Sequence, residues 1–181
     1  MWLRGTAVIA VLVVLGACSD DSASVPDTVT VATIAVASPA VDNLPLLDQI
    51  GPAVAALEAQ LGGPQEYFEI NATARLVNLF VALNNGAVAQ PWLYLGDTLT
   101  STEGQAAGGG TFTASSVDFD PDVVLSQVLT ELPGITIESF YVHGDGEGNV
   151  LYGVLATSDK GGGLDVVLGA DGSVKSVDPV T

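Results

Sequence analysis

Cysteine, histidine and positive charge are the scarce features of this sequence. It contains one cysteine, Cys18, one histidine, His143, and 4 Lys+Arg against 21 Asp+Glu. A lone cysteine excludes an intrachain disulfide and any metal cage built from several thiolates. A lone histidine excludes the multi-histidine ligand sets of catalytic zinc sites. The formal charge of -17 excludes the basic surface that phosphate backbones need, so nucleic acid is not an expected partner. The same charge gains nothing from anionic lipid headgroups. Its direct consequence is a solvated, self-repelling surface, with weak, diffuse cation binding as the alternative. Long apolar runs are also missing. The longest, Gly5 to Ala17, falls short of the roughly 20 residues that span a bilayer. Apolar residues are plentiful nonetheless, at 48%, which is enough for a real core.

The N-terminus reads as an export signal. Met1 to Arg4 is a short region with one positive charge, and an apolar run follows it. The run ends in Leu15-Gly16-Ala17-Cys18. This resembles the lipobox of bacterial lipoproteins, in which a branched apolar residue and two small residues precede the cysteine. The resemblance implies that residues 1–17 are a signal peptide, cut off before Cys18. Cys18 then takes a diacylglycerol on its thiol, and its new amino group is open to acylation by a fatty acid such as palmitate. The protein would be exported and lipid-anchored to the cell membrane, facing the outside or the periplasm. Loss of Arg4 makes the mature chain one unit more negative. An ordinary secretory signal that happens to contain a cysteine is the alternative. Residues 18–42, the lipidated cysteine and a Ser-, Thr-, Val-, Ala- and Pro-rich stretch without aromatics, read as a flexible tether. Within it, Thr28 to Val36 has the β-propensity of an edge strand.

The rest divides into a first α+β half at 43–96, a flexible connection at 97–119 and a second α+β half at 120–181. In the first half, Leu44, Leu47, Ile50, Val54, Leu57 and Leu61 recur at helical spacing. Gly51-Pro52 should break or kink that helix, and Gly62-Gly63-Pro64 should end it. Strands are predicted over 66–71, 75–84 and 88–95, with a hairpin turn at Asn84-Asn85-Gly86. In the second half Asp120 and Pro121 should start a helix whose apolar face is Val124, Leu125, Val128, Leu129 and Leu132. Strands are predicted over 135–143, 149–157, 164–168 and 173–177. The fold class that follows is α+β, an antiparallel sheet packed on one face by helices. Gly108-Gly109-Gly110 should be mobile within the connection.

The halves read as one αβββ unit used twice. A shift of about 73 sets Val77 on Val150, Val81 on Val154, Tyr67 on Phe140, Leu93 on Val166 and Leu95 on Leu168. A shift of about 71 overlays the helices, Val54 on Leu125 and Leu57 on Val128. Two unrelated halves sharing this periodicity are the alternative. The second half, with its helix, its hairpin centred on Val150-Leu151-Tyr152-Gly153-Val154 and its Asp165-Val166-Val167-Leu168 strand, is similar to PepSY-like domains. That resemblance implies a mostly non-catalytic module that acts on, or binds, other exported proteins.

Chemistry-bearing patterns are thin. His143 lies at a predicted strand end with no nucleophile-elbow motif anywhere in the chain, and reads as a solvated loop residue. Asp145-Gly146-Glu147-Gly148-Asn149 starts like an EF-hand loop, but Val150 and Ala156 stand where that loop needs Gly and Glu. It therefore reads as a hairpin turn. Asp118, Asp120 and Asp122 read as helix-capping carboxylates. No catalytic residue, metal ligand or cofactor is expected. Trp92 and Tyr94 share one strand face, opposite Leu93 and Leu95, and are the candidate contact surface if that face is open. The expected role is a non-enzymatic binding or accessory module of the cell envelope. The alternatives are a lipid or small-ligand carrier, and a hydrolase or metal-dependent envelope enzyme.

Overall fold

The computed structural model describes residues 43–180. The signal segment, Cys18, the tether and its candidate strand lie outside the described residues.

Two helices form where the apolar spacing predicts them, and their ends have local causes. A 3-10 turn at Leu47–Gln49 leads into α1 (Ile50–Leu61). Gly51-Pro52 does not kink this helix; it lies in the first turn. There Pro52 forfeits no intrahelical hydrogen bond, whereas further in it would clash with the carbonyl four residues back. Proline thus fixes where the α-helix begins. At the other end Gly62 takes a left-handed conformation, and the N–H groups of Gly62 and Gly63 both bond Glu58 O, at 2.9 and 2.8 Å. In α2 (Pro121–Glu131) Asp120 is the expected cap. Its Oδ1 accepts from the N–H groups of Asp122 (3.0 Å) and Val123 (3.1 Å), worth about 1 kcal/mol.

The remainder is one antiparallel sheet of ten strands. The first meander is β1 (Glu66–Thr73), β2 (Val77–Leu83), β3 (Val88–Leu95) and β4 (Thr98–Ser101). Two short strands follow, β5 (Gln105–Ala106) on β3 and β6 (Phe112–Thr113) on β1. The second meander is β7 (Ile135–Gly144), β8 (Val150–Ser158), β9 (Gly163–Leu168) and β10 (Val174–Val180). The order β10-β9-β8-β7-β1-β2-β3-β4 places β1 beside β7 at the centre. The turn at Asn84-Asn85-Gly86 forms as expected, all three residues at positive φ.

The fold is therefore mainly β, not the α+β balance that the sequence predicted. The difference arises in 97–119, expected as a flexible connection. Gly96 and Asp97, both at positive φ, turn the chain into β4, and the run through β5 and β6 pairs with strands already laid down. The glycine run is pinned at Gly110, which bridges to Gly144. A Cβ on Gly110 would collide with the backbone of Gly146, and one on Gly144 with Gly110, so the chains cross here only because both residues are glycine.

The two first strands share an irregularity. β1 has a bulge between Tyr67 and Glu69 against β2, and β7 has one between Ile137 and Ser139 against β8. Each inserts one extra residue, Phe68 and Glu138, and reverses the alternation beyond it. Tyr67 and Ile70 are consequently both buried, as are Ile137 and Phe140. The hairpin registers then coincide: Tyr67↔Val81, Glu69↔Phe80 and Ile70↔Leu79 match Ile137↔Ala156, Ser139↔Leu155 and Phe140↔Val154. Position by position, β1 matches β7 at an offset of 70, β2 matches β8 at 75, and β3 matches β9 at 74. The uniform shift of 73 is thus corrected. Tyr67 falls on Ile137, Val77 on Tyr152, and Trp92 and Tyr94 on Val166 and Leu168. The helix offset of 71 agrees with burial, since Ala53 and Leu57 in α1 answer to Val124 and Val128 in α2.

One apolar cluster contains buried residues of both meanders together with Ile50, Ala53, Leu57, Val124 and Val128 of the helices. Val77, Leu79 and Val81 of β2 are fully buried in it, as is Val154 of β8. Val81→Asp or Val154→Asp buries an uncompensated charge, and each is expected to cost several kcal/mol. Urea denaturation of the purified variants checks this; a midpoint near that of the parent would contradict the core assignment.

Candidate functional site

Trp92 and Tyr94 do not form an open surface. They pair in register with Leu79 and Val77, which puts them on the buried side of the sheet, 8% and 6% exposed. The open side of β3 carries Leu93 and Leu95 instead. Asp120 is spent on capping α2. Asp145 folds its carboxylate onto its own loop, accepting from the N–H groups of Glu147 and Asn149 and from the Asn149 side chain. The first of these thus forms the expected cap and the second the expected turn. Among the described residues no three His, Cys, Asp or Glu side chains gather closely enough to hold a metal.

The polar groups that do come together lie on the side of the sheet away from the buried cluster, across the β1–β7 seam. The register brings Glu69 opposite His143 and Asn71 opposite Tyr141. His143 is therefore not a free loop residue. Its Nε2 lies 2.9 Å from Glu69 Oε2. Asn71 donates to Glu69 Oε1 at 2.6 Å, and Asn78 donates to Asn71 at 2.7 Å. Both carboxylate oxygens of Glu69 are thus engaged, and the chain of bonds runs across three strands. The Glu69 hydrogen bond holds the His143 imidazolium above its ordinary value of 6.5, against the opposing pull of burial. Burial pushes the Glu69 carboxyl up, but the bonds from His143 and Asn71 outweigh it and leave the group below its usual range.

Tyr141 extends the site toward β9. Its ring meets the edge of His143, centroids 5.1 Å apart. Its hydroxyl passes over β8 and donates to Asp165 Oδ1 at 2.6 Å. Burial, then the Asp165 bond, pushes the phenol's titration up, so it remains a donor. Gly153 makes the crossing possible, because a Cβ there would strike the Tyr141 ring. Glu69, Tyr141, His143 and Asp165, with Leu151, Leu155 and Val167, line a cavity of about 380 Å³. Leu151 and Leu155 are 49% and 40% exposed. The arrangement offers a partner an apolar floor with hydrogen-bonding groups already oriented at its rim.

A second cavity, of about 360 Å³, lies beside the start of α1, between Leu47, Ile50, Val54, Val117 and Phe119. It is largely apolar.

No protein-family model matches this chain, and no curated protein or solved structure matches it either.

Sequence reading missed Glu69 because it faces this side only by virtue of the bulge. The one available signal was the spacing of three between Tyr67 and Ile70, where a regular strand would repeat its apolar residues every two. It also missed Tyr141 and Asp165, which lie far apart along the chain.

The ion pair predicts a pH dependence. The His143 contribution is fully present below pH 6.5, the ordinary value, and is lost as pH rises through the raised folded value. The Glu69 contribution is present above pH 4.5 and is lost as pH falls through its lowered folded value. Stabilisation by the pair is greatest between those limits, and His143 is half exposed, so it amounts to about 1 kcal/mol at most. Urea titrations at a series of pH values should show His143→Gln removing the parent's loss of stability above pH 6.5. Equal pH profiles for the two proteins would refute the pairing.

The crossing predicts a coupling. Gly153→Ala should cost about 1–3 kcal/mol by overpacking. In a Tyr141→Ala background most of that cost should vanish. Additive losses in the double variant would mean that the ring does not lie over Gly153.

Proposed function

We propose that the chain is a membrane-anchored lipoprotein of the cell envelope, and that its folded part is a non-enzymatic binding or accessory module. It meets another exported protein through the open face of the sheet. The observation that carries this reading is the hydrogen-bonded polar network from Asn78 to His143, set beside exposed Leu151 and Leu155. A solvated face gains little from such pre-orientation, whereas a contact surface loses less entropy on binding when its donors and acceptors are already fixed. The lipobox at Leu15 to Cys18 supplies the anchor in this reading, and residues 18–42 the reach.

The finer architecture belongs to the same proposal. The sheet and helices are an αβββ unit used twice, each helix covering the core side of its own meander, in the manner of PepSY-like domains. Supporting this are the matched bulges, the coincident hairpin registers and the equivalent buried positions in α1 and α2. A small-ligand carrier is the second reading, favoured by the apolar cavity beside α1. At about 360 Å³ it is within the range of small-molecule sites.

One experiment in cells tests both anchor and face. The parent should incorporate labelled palmitate and partition into detergent, and Cys18→Ala should do neither. A photo-cross-linking residue at position 151 should give a discrete adduct, and the same residue at position 123, exposed on α2, should not. Labelled Cys18→Ala would refute the anchor; equal cross-linking at both positions would refute the contact face.

A further inference from the structure

The open-face cavity has a chemical preference that follows from its charges. The strand registers align Ser139, Leu155, Asp165 and Asp178 in one row across β7 to β10. Asp165 and Asp178 are thus direct cross-strand neighbours, an arrangement of like charges that destabilises a sheet. Among the described residues His143 offsets Asp165 in part, but its hydrogen-bonded partner is Glu69. Apart from His143, which pairs with Glu69, the described residues carry three cations. Of these, Arg75 is in the β1–β2 turn, Lys160 is in the β8–β9 turn and Lys175 acts on Asp171. Among the described residues, Asp165 Oδ1 accepts from Tyr141 and Asp178 Oδ2 from Ser176, while the second oxygen of each carboxylate has no protein donor.

Beside this incompletely neutralised pair the cavity wall is apolar, made by Leu151, Leu155 and Val167, with the Tyr141 ring at its edge. An aliphatic stem that ends in a cation complements such a surface. The stem covers the leucines, the charge reaches Asp165, and the aromatic ring adds cation–π attraction. An anionic ligand would face carboxylates with only His143 to offset them. A divalent cation would find few free carboxylate oxygens here, would fill the rest of its shell with water and would leave the apolar wall uncovered.

We propose that this cavity receives a lysine or arginine side chain from a basic segment of another exported protein. The proposal rests on the contact-face reading above and names the chemistry of its partner. The strongly acidic surface around the cavity draws a basic segment in, and Asp165 with its apolar wall fixes where it lodges.

The test uses the full chain and two fluorescent octapeptides, one of alternating leucine and lysine, the other of alternating leucine and serine. Binding is read by anisotropy at physiological ionic strength. The Leu-Lys peptide should bind saturably, and Asp165→Asn and Leu155→Ser should each weaken it about tenfold. Glu103→Gln removes an exposed acid outside the cavity and should leave affinity unchanged. If Glu103→Gln weakens binding as much as Asp165→Asn, the attraction is diffuse and the proposal is overturned. If the Leu-Ser peptide binds equally well and Leu155→Ser weakens both, the contact face stands but its preference for a cation is overturned. Failure of both peptides to bind also overturns the proposal, while cross-linking at position 151 reports separately on the face itself.

Discussion

The pairing of β1 with β7 holds two otherwise local structures together. Each meander is built from hairpins with short turns, so its own strand contacts are close in sequence. The seam joins residues about 70 positions apart, Ile70 with Val142 and Ala72 with Phe140. Closing so long a loop costs entropy that only the burial of both apolar faces can offset. The same register decides the chemistry of the other face. It sets Glu69 against His143 and Asn71 against Tyr141; a slip of one residue would send these polar groups into the core and the apolar ones into water.

The connecting segment completes β1 rather than merely spanning a gap. β6 pairs with Glu66 and Tyr67, and β7 pairs with Glu69 to Thr73. One edge of β1 is thus shared between two partners. The hand-over lies where Gly110 bridges to Gly144, and only glycine lets the two backbones approach so closely. Through β6 the connection also brings Phe112 into the core, its ring 6.0 Å from that of Tyr67.

The matched bulges give the two meanders a shared geometry that their side chains conceal. Tyr67 answers to Ile137, and Trp92 to Val166. Burial can preserve such a position while the residue changes, because a core needs apolar volume of about the right shape rather than one particular side chain. Only one of the two first strands uses its bulge to place a titratable group beside the seam. Glu69 in β1 has Ser139 as its counterpart in β7. The polar site therefore joins Glu69 of one half to Tyr141, His143 and Asp165 of the other, on a geometry common to both.

What the chain determined locally could be read locally. The cap at Asp120, the stop at Gly62 and the turn at Asn84-Asn85-Gly86 depend on backbone preferences of a few neighbouring residues. Apart from β4, which lies in the expected connection, the strands of both meanders were legible because their apolar residues alternate. Pro52 shows how near such reading comes to failing: the residue was seen, but whether it ends a helix or begins one depends on what precedes it. The candidate site was not legible. Trp92 and Tyr94 formed a shared face, but which side of a strand is buried is settled by what packs over it, and here that was their own. Glu69, Tyr141, His143 and Asp165 lie on three strands and nearly 100 residues apart at the extremes. Two bulges and one long-range register bring them together. Alternation within a strand is a local steric matter, so the sequence by itself determines it. The phase of that alternation, and the partner a strand meets, depend on contacts between distant segments, so only the tertiary structure could decide them.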